Sequence, residues 1–241
     1  SFTPSPTMAT WRVAPGAVVK IETAGVLFGD GPPNGTTSVL NEGIIERIDA
    51  AGETPGGQGT FSLRVDLDHR GLLEVNPVSG LAPNAPAFSV ARPFPNAGQI
   101  EVAAGAIAEF SGGRLELLPG SRLAGAGWVR VLNAALDSAG RAEVVPVAAN
   151  VEMTGGATFL GNFRFARDLR CSGVGIPGHV ECVGLATLSS VHLDTPESEL
   201  VVQDAVLAAN SVGPSSLGRG ARLINHGHVI VSPGFSAASS G

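Results

Sequence analysis

Apolar and polar residues alternate in short runs along almost the whole chain. WRVAPGAVVKIETAG, TFSLRVDL, GLLEVNPV, QIEVAAGAIAEF, RLELLPGSRL, WVRVLNAAL, SELVVQDAVL and HVIVSP all carry this pattern. A period of two over about four to eight residues predicts strands with one face buried. Gly, Pro, Asn and Ser separate the runs, as turn residues do between short strands. Helical spacing is confined to fragments such as AGAIAEF, which Gly bounds. The pattern therefore predicts an all-β chain.

Two turn phrases recur. One is Asn-x-Gly ahead of an alternating run: Asn41 and Gly43 in NEGIIERI, Asn96 and Gly98 in NAGQIEV, Asn225 and Gly227 in NHGHVIVSP. HRGLLEV is a degenerate copy, with His69 in the Asn position ahead of Gly71. The other phrase is Gly-Ala or Gly-Ser before an apolar residue, beginning at Gly16, Gly105, Gly120, Gly156 and Gly220. Degenerate repeats of strand and turn predict a repeat architecture. Their spacing is uneven, which fits a propeller of equal blades poorly and a solenoid with coils of unequal length well. Asn and Gly are expected at the corners because both tolerate left-handed backbone, and a stacked Asn amide can ladder between coils. The reading is a right-handed parallel β-solenoid (β-helix), with a β-sandwich as the alternative. Residues 1–95 form a less regular N-terminal β region or cap, and residues 96–241 the solenoid repeats. The segments 29–37 and 76–98 are rich in Pro and Gly and read as loops.

LNEGIIERI, NAGQIEVAAGAIAEFSGGRLELLPGSRLAGAG and INHGHVIVSPG resemble the repeats of bacterial secreted β-helix proteins: autotransporter passengers and filamentous-haemagglutinin-like adhesins. The resemblance runs from about Trp11 to Gly234 and is clearest over residues 96–127 and 219–234. It implies a right-handed β-helix, export, and a surface role as stalk, adhesin or filament. It carries over no catalytic residues.

Composition narrows the chemistry. The formal net charge is −6 and charged residues make up 15%. Lys20 is the single lysine, and no basic cluster suggests a phosphate-tracking surface, so nucleic acid is not an expected partner. No apolar run reaches the length of a membrane helix. The N-terminus lacks an initiator Met and the charged and apolar segments of a signal peptide, so the chain reads as a processed product or an excised piece. Cys171 and Cys182 bound the turn-rich segment CSGVGIPGHVEC. A disulfide closing this loop, worth about 2–3 kcal/mol in the chain-entropy model, is favoured over two buried thiols. It would fit an oxidising compartment.

Candidate sites are sparse. His226 and His228 flank Gly227 and would share a strand face, but a metal needs three or four converging ligands. His69 lies near Asp66 and Asp68, and His192 near Asp194; His179 completes the five histidines. Calcium would draw on Asp30 and Asn34, or on Asp194, Glu197 and Glu199, yet neither stretch has a known loop pattern. Asp66, Asp68, Glu74, Glu101, Glu116 and Asp137 are the carboxylates from which a glycosidase pair would come, with Trp128 as the aromatic platform. GFSAASSG lacks the second Gly of a nucleophile elbow. No cofactor is expected and no enzyme is read. The expected function is an exported structural or adhesive module, secreted or at the cell surface. It would self-associate or bind another surface protein through β edges. A carbohydrate-binding or carbohydrate-cleaving β-helix of tailspike type is the alternative, with glycan as the partner.

Overall fold

The computed structural model describes residues 9–22, 25–27, 37–49, 59–208 and 216–231. Among them there is no helix, and every strand pairing is parallel. The strands stack as three ribbons. Ribbon one holds Ala9–Val13, Thr37–Asn41, Asp66–His69, Phe94–Asn96, Arg114–Leu117, Ala135–Asp137 and Thr158–Leu160. Ribbon two begins with Val18–Ile21, Ile44–Arg47, Leu72–Val75 and Gln99–Val102, and ends with Phe163–Phe165, His179–Cys182, Glu199–Val202 and Arg222–Asn225. Ribbon three runs from Gly25–Leu27 through Phe61–Leu63, Phe88–Val90 and Ile107–Ser111 to Ala205–Ala208 and His228–Val231. Arg122–Leu132 and Val145–Thr154 bend through the corner from ribbon two to three. Leu169–Gly175 and Leu185–Leu193 bend from ribbon three to one, where Ser216–Leu217 continues the stack. This is a parallel β-solenoid; a sandwich of antiparallel hairpins is excluded by the pairing.

Alternation supplies the core. Inward residues of successive coils stack in columns, and outward residues stay wet. On ribbon one the column runs Trp11, Val39, Leu67, Phe94, Leu115, Leu136 and Phe159. On ribbon three it runs Phe61, Phe88, Ala108, Val129, Val151, Leu169, Ala186 and Val206. Phe61 and Phe88 stack at 5.8 Å between ring centroids. Each such side chain touches its equivalents above and below, so truncating one to Ala would cost about 2–5 kcal/mol.

Coil length varies as the uneven spacing predicts. Register partners Asn41 and His69 lie 28 residues apart, but Thr158 and Gly175 lie 17 apart. The extra residues leave at corners and do not interrupt a ribbon. Gln99–Val102 pairs with Leu72–Val75 before it and with Arg122–Leu132 after it, in one continuous stack. The described part of residues 1–95 is therefore a set of longer coils of the same solenoid. Residues 76–98, read as a loop, also contain two strands, Phe88–Val90 and Phe94–Asn96. Pro95 faces outward in the latter, and tertiary stacking overrides its poor strand propensity.

The corners are chemically distinct. From ribbon three to ribbon one, a left-handed residue stands at the same register position of five successive coils: Gly112, Asn133, Gly155, Gly173 and Ser190, with φ of 72°, 50°, 70°, 66° and 53°; in the third, Gly156 follows with a φ of 83°. The left-handed corner asparagine is thus Asn133. Asn41, Asn96 and Asn225 use another device. Each side-chain Oδ1 accepts from the N–H two residues on, at Gly43, Gly98 and Gly227 (3.2, 3.0 and 3.4 Å). That is an Asx turn, and the following Gly is required by close approach between coils. A Cβ on Gly98 would lie 2.7 Å from the Arg70 carbonyl carbon and 2.9 Å from Gly71 N.

The recurring phrases do not mark one recurring corner. Asn41-x-Gly43, His69-x-Gly71 and Asn96-x-Gly98 turn from ribbon one to two, whereas Asn225-x-Gly227 turns from ribbon two to three. Gly105-Ala106 and Gly220-Ala221 exchange places in the same way. Local side-chain chemistry specifies a turn, and coil register decides which corner it serves.

Candidate interaction surface

The last described coil places apolar side chains in inward positions, and among the described residues no strand stacks beyond them. On ribbon two Leu200 is fully buried, while its register partner Leu223 is 49% exposed. On ribbon three Val206 is 4% exposed and its partner Val229 60%. Ile230 beside it is 53% exposed. Arg222–Asn225 and His228–Val231 each pair with one earlier strand, and among the described residues no strand lies on their far side. Their outer N–H and C=O groups form an edge that a further strand fits. Asn225 bears on the same point. The Asn41 amide donates forward to the next coil, at Leu72 O (3.2 Å). The Asn225 amide donates back to Gly227 O of its own turn (3.0 Å). His226 and His228 are exposed on this coil, where they flank the corner glycine.

The histidines do not converge. His69 is buried among neutral partners, His179 Nδ1 meets Glu199 Oε2 at 2.6 Å, and His192 Nδ1 meets Ser216 Oγ at 2.9 Å. Among the described residues no three His, Cys, Asp or Glu side chains are grouped to hold a metal. Asp30 and Asn34 lie outside the described residues. Asp194 accepts from the Ser216 hydroxyl, and Glu199 pairs with Arg222 as well as with His179. Ser216, His192 and Asp194 do form one cluster, but both partners bind the serine oxygen, and the carboxylate does not orient the imidazole as a catalytic relay requires.

The carboxylates sort into outward columns. Glu46, Glu74 and Glu101 stack in register on ribbon two, with Lys20 3.8 Å from Glu46 at one end. Glu116 stacks on Asp137, and Arg114 bridges them at 3.5 and 2.9 Å. Asp68 is chelated by Arg70 at its exposed edge, and Asp66 opens ribbon one's Asp66–His69 strand. Glu74 and Glu101 sit in matching surroundings, although an acid–base pair needs different ones. Around Trp128, the Arg130 guanidinium bridges Glu109 (3.4 Å) and Glu152 (2.6 Å), and Arg170 lies 3.9 Å above the indole ring. That arrangement covers the ring with a cation and occupies the nearest carboxylates.

Cys171 and Cys182 are free thiols, so the favoured disulfide is absent here. Both point inward on different ribbons, as members of separate apolar columns. Cys171 stacks between Met153 and Leu188, and Cys182 between Phe165 and Val202. Burial pushes the Cys182 thiol up to about 12 and raises Cys171 further.

Sequence reasoning passed over Arg47. It is fully buried and faces the interior of ribbon two, in the column that Val75 and Val102 continue. Its guanidinium donates to four backbone carbonyls: Ile21 (2.8 Å), Ile48 (2.7 Å), Gly59 and Ala87 (both 3.2 Å). The fork of donors joins three coils at the point where the chain leaves ribbon two. Setting NEGIIERI beside HRGLLEV and NAGQIEV aligns Arg47 with Val75 and Val102, so the signal was in the alternation. No protein-family model, curated protein or solved structure matches this chain.

Proposed function

We propose that this chain is an exported structural or adhesive module, secreted or held at the cell surface, that associates through the β edge of its last described coil. The observation that carries the reading is the pair of inward columns whose last described members, Leu223 and Val229, are exposed beside strand edges that no described strand covers. An added strand gains main-chain hydrogen bonds along the edge and buries these side chains against a hydrophobic cross-section. The repeat phrasing of autotransporter passengers and filamentous-haemagglutinin-like adhesins supports a surface role. The glycan alternative draws less support, because Arg170 lies over Trp128 and the adjacent carboxylates are ion-paired. The test is sedimentation velocity over a wide concentration series, for the chain as it stands and for a Leu223→Lys/Val229→Lys variant. Concentration-dependent growth that the variant abolishes is expected. A wild-type chain that stays a single monomeric species throughout overturns the proposal.

A further inference from the structure

His69 occupies a place where asparagine stands in the coils on either side. It is in register with Asn41 below and Asn96 above, and all three are fully buried at the corner from ribbon one to two. The hydrogen bonds fix its state. Nε2 lies 3.0 Å from Gln99 O, a carbonyl that can only accept, so Nε2 carries the proton. Nδ1 lies 2.9 Å from the Asn41 amide nitrogen, which can only donate, so Nδ1 is the acceptor. The ring is thus held neutral, with both nitrogens satisfied.

Asn41 cannot turn its amide round to accommodate a second ring proton without cost. Its Oδ1 accepts from Gly43 N and its Nδ2 also donates to Leu72 O, so a flip breaks the Asx turn and the bond to the next coil. No counter-charge replaces what is lost. On its own strand, Asp68 is held in a two-bond pair with Arg70. From the coil below, Glu42 is paired with Arg12. From the coil above, the neighbours are Phe94, at 5.7 Å between ring centroids, Asn96 and Gln99. The ladder stops at Asn96, whose Nδ2 has no hydrogen-bond partner among the described residues, because Leu117 takes the next position.

We infer that His69 is an acid-sensitive joint: its protonation separates the coils on either side of it while the later coils remain stacked. Locality follows from solenoid energetics, in which each coil is held by its nearest neighbours. Burial, the largest influence, lowers the imidazole pKa from 6.5, against smaller raising effects of the Gln99 hydrogen bond and Asp68. The folded state therefore prefers the neutral ring. The stability this gives is complete above the unfolded pKa and is lost as pH falls through the folded value. Each unit of depression corresponds to about a tenfold change in the opening equilibrium.

Hydrogen exchange read by mass spectrometry at pH 7.5 and pH 5, as protection factors corrected for intrinsic rate, tests this on the whole chain. In the wild type, protection over residues 61–102 should fall on acidification, while residues 145–193 keep theirs. In His69→Asn, which continues the asparagine ladder and does not titrate, the fall should vanish. His69→Gln is the second non-titrating variant if the first does not fold. Equal pH dependence over residues 61–102 in wild type and variant, or a loss spread evenly over all coils, overturns the inference.

Discussion

Gly71 tests whether the Asn-x-Gly corner is a close-packing device. A Cβ there would stand 2.9 Å from both the Glu42 carbonyl carbon and Gly43 N, and closer still to Gly43 O. These are backbone atoms of the coil below, and ordinary contact begins at 3.4 Å. Because Gly43 O is the closest of these atoms, relief requires the two coils to part by about one ångström or more. That movement weakens Leu72 N–H to Gly43 O and Arg70 N–H to Asn41 O, both 2.8 Å long. Two impaired buried hydrogen bonds at about 1 kcal/mol each, with overpacking of about 1–3 kcal/mol, give a Gly71→Ala cost of about 3–5 kcal/mol. The control is Gly175→Ala. Its nearest neighbour is Thr158 Oγ1 at 3.4 Å and its backbone is not left-handed, so it should be neutral or stabilising by about 0.4–1 kcal/mol. Urea unfolding followed by tryptophan fluorescence reads both variants. Trp11 packs on the core near this corner and Trp128 lies further along the stack. With slopes of about 1–3 kcal/mol per molar urea, Gly71→Ala should lower the midpoint of the early transition by a molar or more. Single-tryptophan backgrounds, Trp11→Phe and Trp128→Phe, separate the two signals. A Gly71→Ala midpoint equal to that of Gly175→Ala refutes the reasoning.

Three further outcomes follow from buried groups. Arg47→Ala should destabilise by about 3 kcal/mol or more, since Ile48 O and Gly59 O lose the guanidinium and Ile21 O and Ala87 O keep only the Ile48 and Phe61 N–H groups; thermal denaturation checks this, and Arg47→Leu should not rescue it. With both thiols buried and their pKa values raised, neither cysteine should react with Ellman's reagent at pH 8 in the native chain, and two should react in denaturant without reductant. A count of zero in denaturant would mean that a disulfide exists after all.

The sequence carried the architecture well because solenoid folding is written in local terms. Period-two alternation marks inward and outward residues, and turn residues mark corners, so ribbons and uneven coils could be read without long-range information. Register is different. Asn41 and Asn225 make the same Asx turn, yet they serve different corners because the intervening coils shorten. No local pattern encodes the accumulated length. The left-handed column through Gly112, Asn133, Gly155, Gly173 and Ser190 was hidden for the same reason, as Asn133 and Ser190 share the backbone conformation of the three glycines but not their residue type. The cysteine pairing was read from spacing alone. Their alternation with buried neighbours already placed both inward, and two inward columns on separate ribbons need not bring sulfur atoms together.

The polar residues inside the stack sharpen what register does for this fold. Alternation alone would accept Ile or Val at position 47 and Asn at position 69, as the flanking coils have them. Arg47 and His69 each replace a repeat residue with a group whose bonds are specific to its own coil. Arg47 reaches the base of one corner excursion, and His69 satisfies one asparagine below and one carbonyl above. A uniform solenoid is vulnerable to slipping by a whole coil, because every layer offers the same apolar partners. A slip by one coil would leave a guanidinium and an imidazole facing the wrong partners, which is more costly than misplacing a valine. We expect the two residues that break the repeat to favour the observed register of the coils they join. Arg47→Val combined with His69→Asn should leave a chain that still stacks but exchanges its N-terminal amides heterogeneously; a single uniform exchange envelope over residues 61–102 would count against this role.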